Sequence, residues 1–454
     1  LAIQFCVVTI EENKMKAKMR MGVSAIWALC AILLFISTDS NAMPNFARKY
    51  DKNCAMCHTQ VPKLNRTGFA FRLAGYRMPD EIGQDEKPNL GELFAARIQM
   101  QQENKSHTDV APGKNTSTDQ LTFFEATLYP LTGSWGGNFG SLTELSMASG
   151  EGFEIENAYV RGVSGDATSG WWSGKIGVMH PQEGFGASDR PLGNNRPLMQ
   201  KQPSTGNPFY LWNIDEMAAE VGYYWPTTGT NLSARMSNGV IWKGDPKSGT
   251  DHADPAQGGA LTKNQNAPGA NQKNWQIVLN QYVNDDSGFT LYYYKGVIPF
   301  GDTSVPQTYT LNTFSRLAVY ANWFVMPKKL NLLAGWLTGN DTLDDPSMTG
   351  TILGVNGGPD TTVNGADVGK SGGYYVEADY HVDNKLAFGI RHDVFDPSEN
   401  IAHNTQTANS IFVNYQPVTN VQLIADLVRK TTEAGATAGD NTDNQFVGRL
   451  IFIF

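Results

Sequence analysis

Charge is scarce in this 454-residue chain: Asp, Glu, Lys and Arg make up 17%, below the roughly 25% usual in soluble domains. Long apolar runs are missing too. The one marked stretch, Val23–Ile36, is shorter than the about twenty residues a helical span needs. A bundle of membrane helices is thereby excluded. A membrane β-barrel is not, because polar lumen residues dilute the apolar ones on every strand. Basic excess is absent: the formal net charge is −9, which argues against nucleic acid, because phosphate binding needs a basic face. Cysteine is nearly absent. Of four in all, Cys6 and Cys30 precede the expected mature start. Only Cys54 and Cys57 remain, and no disulfide framework is left to find. Glycine and tyrosine, by contrast, are plentiful, at 46 and 17 residues, and both lean towards β-structure with many turns.

The first 42 residues read as removable. Met15 opens a basic stretch with Lys16, Lys18 and Arg20, the apolar run follows, and Ser40-Asn41-Ala42 supplies small residues for cleavage. These are the three parts of a secretory signal in order. The expected mature start is Met43. Residues 1–14 read as upstream sequence. Cys30 lies within the apolar run rather than at its end, which argues against a lipid anchor.

Cys54-Ala55-Met56-Cys57-His58 is a haem-attachment pentad. Two thiols add across the vinyl groups of the porphyrin, two intervening residues set their reach, and the adjacent histidine ligates the iron. A redox dithiol does not need that histidine. A zinc site of this type needs a second ligand pair, and no further cysteine exists. One covalent haem c is therefore expected on Cys54, Cys57 and His58. Pro62 is expected to start a helix. Leu64, Phe69, Ala70 and Leu73 would form its apolar face, and Gly75 its left-handed cap. For the distal iron ligand, Met78 is the first candidate, with Met43 and His107 as alternatives; a thioether there would raise the potential.

From Leu93 the pattern changes to period two. Leu317, Val319, Ala321, Trp323 and Val325 alternate with Ala318, Tyr320, Asn322 and Phe324, and similar runs recur at 93–101, 374–382 and 421–428. Strands are expected near 93–103, 119–130, 138–147, 153–163, 172–180, 213–224, 230–240, 274–283, 288–296, 315–325, 329–338, 373–382, 385–394, 408–416, 420–430 and 444–454. Tight turns alternate with long connections such as 181–212, 241–273, 297–314 and 339–372. That is the mark of an outer-membrane barrel, with short turns towards the periplasm and long loops outside. The last strand, with Phe446, Leu450, Phe452 and Phe454 on one face, resembles the terminal signal of such barrels. Glu377, Asp379, Arg391 and Asp393 would point into the lumen as a solvated, charge-balanced set, or mark an ion path. Asp341, Asp344, Asp345 and Asp360 read as loop acids that keep the loop soluble or transiently hold a cation such as Fe(II).

The sequence thus divides into 1–42, a signal; 43–92, a monohaem c-type cytochrome segment with a short linker; and 93–454, a barrel of about sixteen antiparallel strands, mainly β. The run Ala42-Met43-Pro44-Asn45-Phe46-Ala47-Arg48-Lys49-Tyr50 carries a further signal. With the pentad, Pro62, Leu64, Asn65, Gly68, Phe71, Gly75 and Tyr76, it resembles the fused monohaem cytochrome–porin family. Members of that family are outer-membrane Fe(II) oxidases. The resemblance implies an outer-membrane electron-transfer protein. Extracellular Fe(II) would give electrons to the haem, and a periplasmic c-type cytochrome would remove them. The haem segment would sit in the periplasmic mouth or the lumen. Only Cys54, Cys57 and His58 carry over from it as haem-binding residues. Two alternatives stand beside this reading: a porin for small solutes with the haem segment as plug, and a conduit for another donor or direction.

Overall fold

The computed structural model describes residues 44–52, 54–85, 87–109, 115–148, 152–180, 191–207, 216–240, 273–301, 309–352, 361–418, 420–433 and 440–454. The expected signal, Met43, Asp360 and most of 241–273 lie outside them. The wall is built from β1 Ala95–Thr108, β2 Thr116–Tyr129, β3 Phe139–Ala148, β4 Glu154–Asp166, β5 Gly170–Met179, β6 Glu216–Trp225, β7 Thr230–Val240 and β8 Asn274–Tyr282. It continues with β9 Gly288–Gly301, β10 Tyr309–Met326, β11 Leu330–Leu343, β12 Lys370–His381, β13 Leu386–Asp396, β14 Gln406–Val418, β15 Val421–Glu433 and β16 Asp440–Ile453. Each strand pairs antiparallel with its sequence neighbours, and β16 pairs back onto β1, Leu450 opposite Met100, which closes the sheet. Closure leaves no unpaired edge. A short strand, Gly133–Trp135, takes over pairing with β3 where β2 has ended. All sixteen expected strands are present, and the fold is a closed antiparallel transmembrane barrel.

Period two decides which face is wet. Trp172, Ile176, Val221, Trp275, Ile277, Trp323, Trp336, Phe388, Ile390, Ile411 and Leu427 are exposed on the outside. So broad an apolar surface is untenable in water and suits an acyl-chain belt. Many inward positions are polar. Arg161, Lys175, Glu220 and Arg235 are successive cross-strand partners on β4 to β7, and all are buried. Glu220 holds Lys175 at 3.4 Å and Arg235 at 2.9 Å.

A sixteen-strand barrel leaves room inside, and among the described residues two segments enter it. The first precedes β1. It comprises α1 Pro44–Tyr50, a 3-10 turn Cys54–Met56, a hairpin of His58–Gln60 with Lys63–Leu64, α2 Arg66–Leu73, a second 3-10 turn Pro79–Glu81 and α3 Leu90–Leu93. Helix α2 starts later than expected. Pro62 lies in the hairpin turn, because His58 pairs with Leu64. The cap falls to Asn65, whose Oδ1 accepts from Gly68 N at 2.9 Å. Phe69, Ala70, Leu73 and Ala74 then pack against Val163, Trp171, Tyr224 and Tyr282 of the wall. Gly75 (φ 76°) turns the chain out of the helix as expected, and Tyr76 (φ 64°) follows it into the left-handed region.

The second segment, residues 191–207 between β5 and β6, was expected to be part of an outward loop. It folds inward instead. Its short helix α4, Leu198–Lys201, carries Leu198 and Met199 into a lumen cluster with Tyr292, Tyr294, Phe314, Tyr320, Tyr375 and Phe395. The apolar core of this protein therefore lies inside the barrel, between wall and insertions.

Candidate functional site

The pentad is held by the segment's own backbone. Cys57 N–H donates to Cys54 O at 3.1 Å, and Asn65 N–H donates to Cys57 O at 2.9 Å. Asn65 Nδ2 reaches Met56 O at 3.0 Å. A Cβ on Gly68 would stand 2.2 Å from Cys57 O, so the attachment loop rests directly on the first turn of α2, and only glycine permits that approach. Neither thiol is in a disulfide, and both are half-buried. Burial, then the neighbouring Cys54, pushes the Cys57 thiol up to about 11.

His58 Nδ1 lies 3.2 Å from Pro62 O. A carbonyl only accepts, so Nδ1 carries the proton and Nε2 of the neutral ring keeps its lone pair. Burial lowers the His58 pKa to about 4, which keeps the ring in its ligand form at neutral pH. Two thiols and an oriented imidazole are the donor set that a haem c requires, and the residues present fit it. Gln60, two residues on, is buried, and both its amide atoms lack partners among the described residues.

The distal candidates separate. Met78 packs with Phe46, Tyr50 and Leu142 around Phe71, Tyr76 and Tyr159. Its N–H is held by Glu81 Oε2 at 3.1 Å. His107 is at the far end of β1, where its Nδ1 meets Asp443 at 2.6 Å. It is thus drawn away from the pentad, because β1 leaves the segment and runs to the opposite rim. Met43 lies outside the described residues.

The segment is docked at the end of the barrel that carries the tight turns. Arg66 N–H donates to Asp285 O at 2.8 Å. Tyr282 OH donates to Leu64 O at 3.2 Å, Arg77 Nη1 to Gly136 O at 2.8 Å, and Asn45 Nδ2 to Thr132 O at 2.8 Å. Asn414 on β14 donates to Val61 O at 3.2 Å and to Leu192 O at 2.9 Å. One lumen side chain thus touches both insertions.

The four lumen charges are not solvated. Lys63 Nζ sits 2.5 Å from Asp379 Oδ2 and 3.3 Å from Glu377 Oε1, all three groups buried. Arg391 holds Glu377 at 3.4 Å and Asp393 at 2.8 Å, and it donates to Asn195 O at 2.8 Å. Asp393 Oδ1 accepts from Leu198 N at 3.1 Å. The expectation of a water-facing set fails because the insertions cover it. Asp341 is likewise no loop acid: it is buried, ion-paired with Arg316 at 2.9 Å and bonded by Asn207 at 2.6 Å. Asp344 and Asp345 are exposed. The sequence analysis gave no role to Lys63 or Asn414, since each acts through a partner distant in sequence, and it named Asn65 only within the family resemblance, not as the cap of α2. The lysine and asparagine beside the pentad were the available signal.

No protein-family profile matches the chain, and no curated protein matches it. Solved structures do. An anion-selective porin from Comamonas acidovorans is 12% identical with a TM-score of 0.49, over 80% of this chain and 98% of that one. The outer membrane channel DcaP of Acinetobacter baumannii is 12% identical with a TM-score of 0.47, over 80% and 96%. OmpF of Salmonella typhi, solved with daunomycin, is 12% identical with a TM-score of 0.45, over 79% and 97%. The likeness is one of barrel architecture. Nothing about substrate or cargo passes from these proteins to this chain.

Proposed function

We propose that the chain is an outer-membrane electron-transfer protein that takes electrons from extracellular Fe(II) and delivers them to a periplasmic c-type cytochrome. Cys54 and Cys57 hold one haem c, and His58 Nε2 ligates its iron. The observation that carries this reading is the placement of a haem-attachment pentad inside a barrel that is filled from both ends. When bound, the haem supplies one-electron exchange. The chain supplies the rest. Pro62 O orients His58, and the Asn65 cap and Gly68 seat the attachment loop. Phe46, Tyr50, Phe71 and Tyr76 exclude water from their side of the segment. The wall spans an apolar band of about 25 Å that electrons do not cross unaided, and the haem would shorten that gap. Fe(III) then stays outside. The test mixes oxidised, haem-loaded protein with Fe(II) and follows the haem bands. Reduction on the timescale of mixing supports the reading; a haem that dithionite reduces at once and Fe(II) leaves oxidised sinks it.

A second reading, a solute channel with this segment as plug, is favoured by the sixteen-strand wall and its polar inner row, Arg161, Lys175, Glu220 and Arg235. Flux of small sugars or ions through liposomes carrying the barrel decides between the two: fast flux selects the channel.

A further inference from the structure

We infer that Lys63 is a positioning residue that fixes the iron-ligating His58 to the barrel wall, so that the wall, and not the short segment alone, sets the electronic state of the bound iron. The inference rests on the proposed haem attachment. His58 and Lys63 belong to the two arms of one small hairpin: His58 pairs with Leu64, and Gln60 with Lys63. The His58 ring donates to the carbonyl of Pro62, the residue before Lys63. So the backbone that orients the imidazole is the backbone that Lys63 anchors.

The anchor is buried and doubly held. Lys63 Nζ bridges Asp379 at 2.5 Å and Glu377 at 3.3 Å on β12. Both carboxylates face the lumen from one side of the strand. Beyond them Arg391 on β13 ties Glu377 to Asp393 and to the backbone of Asn195. The path is continuous from the imidazole, through the hairpin and two wall strands, to the inserted segment 191–207. Groups that orient a ligating histidine tune both its ligation and the potential of the metal. An ion pair at a surface has little such leverage. A buried one whose partner is removed leaves a costly unpaired charge, and the hairpin must move.

The experiment uses the full haem-loaded chain in detergent. Lys63→Met is compared with Lys63→Arg, with the wall-side double variant Glu377→Gln/Asp379→Asn, and with Lys175→Met, which breaks a lumen ion pair on another strand. Readouts are haem content, the absorption and electron-paramagnetic-resonance spectra of the oxidised form, and the midpoint potential. Lys63→Met and the wall-side double variant are expected to alter spectrum and potential in the same sense. Lys63→Arg is expected to restore them, and Lys175→Met to leave them as in the parent. Combining Lys63→Met with the wall-side pair is expected to add little. Parental spectra and potential in Lys63→Met, with haem bound, overturn the inference, as does an equal change in Lys175→Met. If Lys63→Met does not fold, the wall-side variant alone decides on the same criteria. A parent chain that carries no covalent haem overturns the proposed attachment and this inference together, whereas unchanged spectra overturn only the inference.

Discussion

Cys54 and Cys57 differ in their surroundings although they serve one expected purpose. Cys54 Sγ lies 3.9 Å from Gln416 on the wall, whereas Cys57 is pressed against α2. Cys57→Ala is expected to leave a single thioether. The haem should then show a pyridine haemochrome band displaced to longer wavelength and a several-fold lower yield, and an unchanged band would contradict attachment at Cys57. Lys201 gives a prediction in pH. Burial first, then Lys105, Arg196 and Lys430, lowers its pKa from 10.5 to about 8, with Glu103 opposing. Between those values the unfolded chain holds more protons than the folded one, so stability rises with pH across that window. Below about 8 the cost of burying the charged amine is fully present. Lys201→Met removes that cost. Its melting temperature in detergent is therefore expected to exceed the parent's near neutral pH, by a margin that shrinks as the pH is raised towards that of a free lysine. A margin that does not change with pH refutes the assignment.

At the level of elements, the strands were legible and the insertions were not, for a physical reason. A wall strand must show lipid on one face and lumen on the other, so residues 317–325 and 374–382 alternate visibly. Segment 191–207 has no such requirement. Its Leu192, Leu198 and Met199 contact curved surfaces contributed by several strands, and no fixed period arises. Asp341 misled for a related reason: it lies within β11, among Gly, Asn and Thr residues that read as loop. The pentad was legible because covalent chemistry fixes its spacing. Its docking was not, since Lys63 and Asp379 are separated by most of the chain. Docking also depends on a backbone approach no motif announces. A Cβ on Gly140 of β3 would lie 2.1 Å from Gly75 O. Neither backbone can yield without moving the turn at Gly75-Tyr76, which Tyr159 holds by a 2.5 Å hydroxyl contact. Gly140→Ala is therefore expected to leave the barrel intact, as judged by its heat-modifiable gel mobility, and to loosen the segment. Protease cleavage within 44–92 should then rise by at least about tenfold, the factor that corresponds to about 1.4 kcal/mol of lost docking energy. Parental resistance would show that this approach does not determine docking.

For the molecule as a whole, the question is what the two insertions do together. Each meets Asn414, one through Val61 O and the other through Leu192 O. They also share the charge network, the first through Lys63 and the second through Asn195 and Leu198. They are thus stacked in series along one lumen, and a solute has to pass both. Series resistances add, so where the two obstructions are comparable, removing either one alone leaves the other limiting the current. Deleting residues 45–92 is accordingly expected to raise single-channel conductance only modestly. Shortening 191–207 to a glycine-serine turn should do the same. Both changes together should give the conductance of an open sixteen-strand barrel, far above the sum of the single effects. If deletion of 45–92 alone produces the open value, the inserted segment does not obstruct the lumen, and the solute-channel reading gains. If the parent is tight to ions and only the double variant conducts freely, the barrel serves as an insulating sleeve around the pentad, and charge rather than solute is what it is built to pass.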